Sequence, residues 1–126
     1  MISDQAGRSL SPSFDHGNAL GFQESDDKRQ RCVEDPELLK HWASRGRSHH
    51  FAGRPDLVEL AHSALRIASH DARGVFHETA KRVDEAVMRS IVESVPIDIM
   101  SHDARNFAIA MVEHNKGRLL SEYPSH

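Results

Sequence analysis

The stretch Pro55-Asp56-Leu57-Val58-Glu59-Leu60-Ala61-His62-Ser63-Ala64-Leu65-Arg66-Ile67-Ala68 decides the fold class. Within it Leu57, Leu60, Ala61, Ala64, Leu65 and Ala68 recur at i, i+3, i+4, i+7, i+8 and i+11, the period of a helix that buries one face. The spacing predicts a helix opened by Pro55, whose fixed φ suits a first helical turn, and broken or ended at Gly74. Further on, Val83, Ala86, Val87, Ile91 and Val95 repeat the period until Pro96 prevents continuation. Ser101 then caps a last helix that carries Ala104, Phe107, Ala108, Met111 and Val112 on one side and fades near Gly117, with Leu119, Leu120 and Tyr123 extending its packing. Each large side chain buried in these stripes contributes about 1.5–3 kcal/mol against an ordering cost of roughly 1–2 kcal/mol per residue, so about three packed helices are the minimum.

Toward the N-terminus, residues 45–54 are rich in Gly, Arg, Ser and His and read as the one long loop. Asp35-Pro36 reads as N-cap and first residue of a short helix with Leu38, Leu39, Trp42 and Ala43 at helical spacing, stopped by Gly46 as a C′ residue. Trp42 is expected as a core or sub-core anchor of that helix and not as a ligand platform. Ser25 caps an earlier helix to about Glu34, with Asp26 and Asp27 in the first turn, where the helix dipole favours acids. Before it, Gly17 and Gly21 bracket a loop that lays Leu20 and Phe22 onto the rest of the chain. Residues 1–15, with a turn at Asp4-Gln5-Ala6-Gly7 and with Leu10 and Phe14 around Pro12, fit a short irregular strand pair. The fold class is therefore mainly α, a short N-terminal β-hairpin remnant followed by a helical bundle. The 126 residues are expected to form a single partial domain, with the strand pair and its loop in 1–24 and the helical region in 25–126.

Composition excludes several functions. Sixteen basic against nineteen acidic residues, net charge −3, leave no basic stripe to neutralise phosphates, so no direct nucleic-acid contact is expected. The lone cysteine, Cys32, builds no disulfide framework. No run of about 18 apolar residues suggests a membrane span, and Met1-Ile2-Ser3-Asp4-Gln5 has no basic-then-apolar leader, so the expected location is the cytoplasm. Ten histidines raise the question of metal binding. His77-Glu78-Thr79-Ala80-Lys81 begins like a zinc-protease motif but places Lys81 where the second histidine is needed, and His49-His50 in an Arg-rich loop fits solvated or phosphate- or acid-facing groups better than the alternative, a metal site completed by another ligand in three dimensions. Arg45, Arg47 and Arg54 around that loop fit either a bidentate grip on an anion or a solvated basic loop pairing with neighbouring acids. The word Ser-His-Asp-Ala-Arg occurs at 69–73 and 101–105, but its flanks do not repeat, so it reads as a helix start at the second copy and not as a solenoid.

The stretch Leu10-Ser11-Pro12-Ser13-Phe14-Asp15-His16-Gly17-Asn18-Ala19-Leu20-Gly21 resembles the segment of HipA-like serine/threonine kinases that carries their metal-binding aspartate. The resemblance continues through Arg45-Gly46-Arg47-Ser48, Leu57-Val58-Glu59-Leu60-Ala61, Val95-Pro96, Met100-Ser101 and Asn115-Lys116-Gly117-Arg118-Leu119-Leu120. It implies the C-terminal lobe of such a kinase, with Asp15 directing an oxygen at a Mg²⁺ that bridges nucleotide phosphates. On local chemistry alone the same aspartate fits an Asx turn before His16-Gly17-Asn18. Mg²⁺ and ATP are implied for the intact family and no cofactor for this chain alone, because the family's catalytic aspartate and second metal-binding asparagine precede the segment with which these residues begin. No catalytic or nucleotide-binding residue is therefore assigned, and a truncated product or a start further upstream is expected. His102-Asp103-Ala104-Arg105-Asn106 imitates a kinase catalytic loop, but it follows Asp15 where the family order requires it to precede, and capping accounts for it. The resemblance implies a protein partner, either an antitoxin-like protein or the missing kinase lobe. The other functional expectation is a stand-alone helical interaction module derived from that fold.

Overall fold

The structure, a computed structural model, describes residues 20–121. Asp15 and the strand pair expected before it lie outside the described residues. Six helices follow in order: α1 Asp26–Glu34, α2 Pro36–Ala43, α3 Leu57–Ile67, α4 His70–Arg82, α5 Glu85–Glu93 and α6 His102–Ser121. The mainly helical expectation is met. Among the described residues the β structure is limited to one isolated antiparallel bridge between Arg47 and Asp56. Helix α6 is the axis, and each of the other five packs on it.

Every helix starts on a Ser or Asp side chain that accepts a backbone N–H of the first turn. Ser25 accepts from Lys28 at 3.4 Å, Asp35 from Glu37 at 2.9 Å and Asp56 from Val58 at 2.8 Å. Ser69 accepts from Ala72 at 3.2 Å, Asp84 from Val87 at 2.9 Å and Ser101 from Ala104 at 3.2 Å. These caps correct several boundaries. The helix expected to open at Pro55 opens at Leu57, because Asp56 is its cap. It ends at Ile67 and not at Gly74, because Ser69 starts a new helix in which Gly74 is an interior residue facing open space. The two Ser-His-Asp-Ala-Arg words are thus the same device used twice, each a serine cap followed by a first turn. Gly46 is not the stop of α2, which is capped at Ser44. It lies instead where a Cβ would come within 3.2 Å of Leu57 Cδ1, and its carbonyl accepts the Leu57 N–H at 3.2 Å. Gly117 does not end α6, which runs on to Ser121.

The core gathers where α1 and α2 meet α6: Cys32, Leu39, Phe107 and Met111 are buried, with Trp42, Ala43 and Ala110 packed against them. Phe107 and Met111 are 1% and 2% exposed. The Trp42 and Phe107 rings meet edge to face, centroids 5.1 Å apart at 88°, a geometry favoured by the ring quadrupoles. Trp42, partly buried, is the sub-core anchor of α2.

The other stripes are rotated from their expected phase. In α3 the buried residues are Val58 and His62, while Leu57 and Ala64 are exposed. In α5 the buried residue is Met88, flanked by exposed Val87 and Ile91. One continuous stripe predicts one continuous helix. Because Ser69 and Asp84 restart the chain, each short helix turns its own narrow face to α6, and apolar residues outside that face stay in water.

Candidate functional site

The described chain enters at the last residues of the motif stretch, Leu20 and Gly21, and these are fixed by backbone geometry first. Leu20 has φ 59° and Gly21 φ 70°, in the left-handed region that a glycine occupies without penalty. The Gly21 carbonyl then accepts the Glu24 N–H at 3.0 Å and closes the turn into α1. Gly21 is buried, and a Cβ on it would stand 2.5 Å from Phe107 Cε1, so the turn is pressed onto the centre of α6 where only hydrogen fits.

Polar contacts hold this turn from below. Arg29, on α1, donates through Nη2 to the carbonyls of Gly21 and Phe22, both at 3.0 Å, and through Nη1 to Asp26 Oδ1 at 2.7 Å. Asp26 Oδ1 also accepts the Ser101 hydroxyl at 2.8 Å, which links the start of α1 to the start of α6. Arg29 and Ser101 hold the Asp26 carboxyl below its ordinary value, since both hydrogen bonds favour the charged form. Glu24 accepts Trp42 Nε1 at 2.9 Å and pairs with Lys28 Nζ at 2.7 Å, and these contacts, Lys28 foremost, lower its carboxyl as well. The result is an anchor that fixes the turn at Leu20 and Gly21 against α6.

A second cluster joins three of the stretches quoted for the resemblance. The Gly46 carbonyl accepts from Leu57 N, and Ser48 N donates to the Pro55 carbonyl at 3.0 Å, tying the Arg45–Ser48 loop to the start of α3. There Asp56, 5% exposed, accepts from Val58 N, Glu59 N and Arg118 Nη2, the last at 2.9 Å across to α6. Burial pushes the Asp56 carboxyl up, but Arg118 and the two backbone N–H groups outweigh it, and the net shift is downward. Buried His62 donates Nε2–H to the Leu119 carbonyl at 3.2 Å, a second tie between α3 and the end of α6. On α6, His114 is held below its ordinary value, by burial first and then by the charges of Arg118 and Lys40.

The remaining candidates are placed singly. Arg45, Arg47 and Arg54 are all exposed; Arg54 donates to His49 Nδ1 at 2.6 Å, and the Arg45 charge acts on Glu24. His77 lies in α4 with its ring edge to face with Phe76. The His102–Asn106 stretch is the first turn of α6, where Arg105 donates to the Val95 carbonyl. Among the described residues no group of three or more His, Cys, Asp or Glu side chains could hold a metal ion. No helix among them is long and apolar enough to cross a membrane.

Sequence reasoning did not find the Asp56–Arg118 pair, 62 residues apart, or the role of Arg29. Only the Asp26–Arg29 spacing of i, i+3 was available as a local signal. Compared with known proteins, the chain matches no family model, no curated protein and no solved structure.

Proposed function

We propose that this chain is the C-terminal helical region of a HipA-like serine/threonine kinase and is not competent for phosphoryl transfer by itself. The single observation that carries the reading is the ordered stretch Leu10 to Gly21 with Asp15 at its centre. Two structural features are consistent with it. The motif ends on a turn locked to α6, as a metal-bearing loop requires if its carboxylate is to be held in place. The quoted stretches Arg45–Ser48, Leu57–Ala61 and Asn115–Leu120 also meet in one cluster instead of being scattered.

In this reading Asp15 is one Mg²⁺ ligand of a nucleotide site whose phosphate cradle, phosphate-pairing cation and catalytic base are supplied by other parts of the kinase. The partner is that missing lobe or an antitoxin-like protein. Titration of the purified chain with ATP and Mg²⁺ tests the claim: no saturable binding is expected at micromolar nucleotide, and tight binding would sink the idea that the site is incomplete. Translation of the DNA upstream supplies the complementary check, since an in-frame catalytic Asp followed by Asn is expected there.

The second reading, a stand-alone helical interaction module, is favoured by a core that closes on its own around Phe107 and Met111. Against it stand Ile67, Val75, Ile97 and Ile99, which are 89%, 67%, 53% and 74% exposed. Dye binding and dimer formation separate the two, because a module that needs no lobe binds no hydrophobic dye and stays monomeric.

A further inference from the structure

A cleft opens between α1 and α2. Residues three and four apart share a helix face, so Lys28, Arg31 and Cys32 form one strip on α1. Leu38, His41 and Trp42, continued by Arg45 just past the end of α2, form the facing strip. The two strips border a space of about 140 Å³. Cys32 is buried and Trp42 partly so, and with Leu38 they make the apolar part of the lining. The other four residues are all basic, and no acid of either helix lines the cleft.

The acids of these helices are engaged elsewhere. Asp26 accepts from Arg29 and Ser101, Glu34 accepts Gln30 Nε2 at 3.0 Å, and Glu37 stands 3.9 Å from Lys40. Of the basic lining residues, Lys28 has Glu24 at 2.7 Å. Arg31 meets only the Asp27 backbone carbonyl, through Nε at 3.4 Å, and the side chains of His41 and Arg45 form no ion pair or hydrogen bond among the described residues. Like charges gathered on one seam repel, and an anion set between them relieves the repulsion. Of the three arginines around the 45–54 loop, Arg45 is the one that lines this cleft, whereas Arg54 donates to His49.

We infer that the cleft binds a small aromatic carboxylate, with its ring against Cys32, Leu38 and Trp42 and its carboxylate between Arg31 and Arg45. Size points to a single ring, since a cavity of about 150 Å³ holds one benzene. The head group follows from the donors: the planar fork of a guanidinium matches a planar carboxylate with two parallel hydrogen bonds. His41 adds a further donor at the same opening. The seven lining residues named lie outside the Leu10–Gly21 stretch, so carboxylate binding here does not depend on the kinase reading.

Titration of the full chain with benzoate tests the assignment, read by the emission of Trp42, the single tryptophan, and by amide shifts in a ¹H–¹⁵N spectrum. A ligand of this size is expected to saturate with a Kd of about 0.1–1 mM, with the shifts concentrated in residues 28–45. Benzamide keeps the ring and loses the charge, acetate keeps the charge and loses the ring, and each should bind about tenfold more weakly or worse. Arg31→Gln combined with Arg45→Gln, both at exposed positions, should weaken benzoate by about tenfold without lowering the urea midpoint, while Arg54→Gln leaves binding unchanged. Failure of benzoate to saturate in the millimolar range overturns the assignment. So does equal binding of benzoate with either benzamide or acetate, a result that needs no variant. An acidic peptide built around one phenylalanine is titrated in parallel, and saturation by the peptide with none by benzoate would make the cleft a protein-docking surface and overturn the small-molecule site.

Discussion

The two flanks of α6 are capped alike and packed differently. On one flank α1 and α2 bury Cys32 and Leu39 against Phe107 and Met111, and Trp42 closes the cluster edge-on. On the other, α4 buries no residue and α5 buries Met88 alone, while Val75, Val87 and Ile91 remain in water. Capping starts a helix wherever a Ser or Asp is placed. Burial depends on the face that α6 presents, and α6 presents its largest side chains to one flank.

That contrast can be broken most severely at Phe107. Phe107→Ala should cost about 3–5 kcal/mol, read by urea unfolding, with a change in the emission of Trp42, the chain's single tryptophan. A loss below about 1 kcal/mol would mean that the centre of the bundle lies elsewhere. Gly21→Ala comes next, at about 2–4 kcal/mol, because it adds left-handed backbone strain to a clash with the same ring. Gly53→Ala supplies the comparison: φ is 78° there too, but a Cβ meets nothing within 4 Å, so only the backbone cost of about 1–2 kcal/mol should appear.

Asp56→Ala removes a helix cap and leaves Arg118 without its carboxylate, for an expected loss of about 1–2 kcal/mol. A double-mutant cycle with Arg118→Met should show positive coupling, and strict additivity would demote the pair to a coincidence of distance. Acid should act in two stages. His114 has a folded value below its ordinary 6.5, so the unfolded chain binds the proton first and stability falls as pH drops below about that value. Glu24, Asp26 and Asp56 are also lowered, and their contribution, present above ordinary values of 4.5 and 3.8, is lost as pH falls through their folded values. His114→Gln should remove the upper stage from a plot of urea midpoint against pH and spare the lower one. The smallest effect is expected on the open flank, where Val75→Ser should stay within about 0.5 kcal/mol of the parent.

Legibility followed the same division. Ser25, Asp35 and Ser101 are readable as caps because each precedes a helical pattern that begins cleanly. Asp56 is obscured by Pro55 beside it, and Ser69 and Asp84 by apolar spacing that runs on across them, so two helix starts and the phase of two buried faces were missed. Trp42 is legible as an anchor from its spacing, but its partner Glu24, 18 residues earlier, is not, since nothing local marks the encounter. Of the candidate site, the loop ending at Gly21 is visible in its glycines. The ring against which Gly21 is pressed is 86 positions away and becomes apparent only when the helices are assembled.

The Asp26 carboxylate has a consequence that reaches beyond its hydrogen bonds. It stands in the first turn of α1 and accepts the hydroxyl of the serine that caps α6, so the positive poles of two helices share one anion. Two like poles brought to one corner repel, and the Asp26 charge, which also pairs with Arg29 at 2.7 Å, offsets that repulsion. Asp26→Asn would keep the shape of the contact and remove its sign, and the corner where α1 and α6 begin would then become the place in the bundle most sensitive to ionic strength.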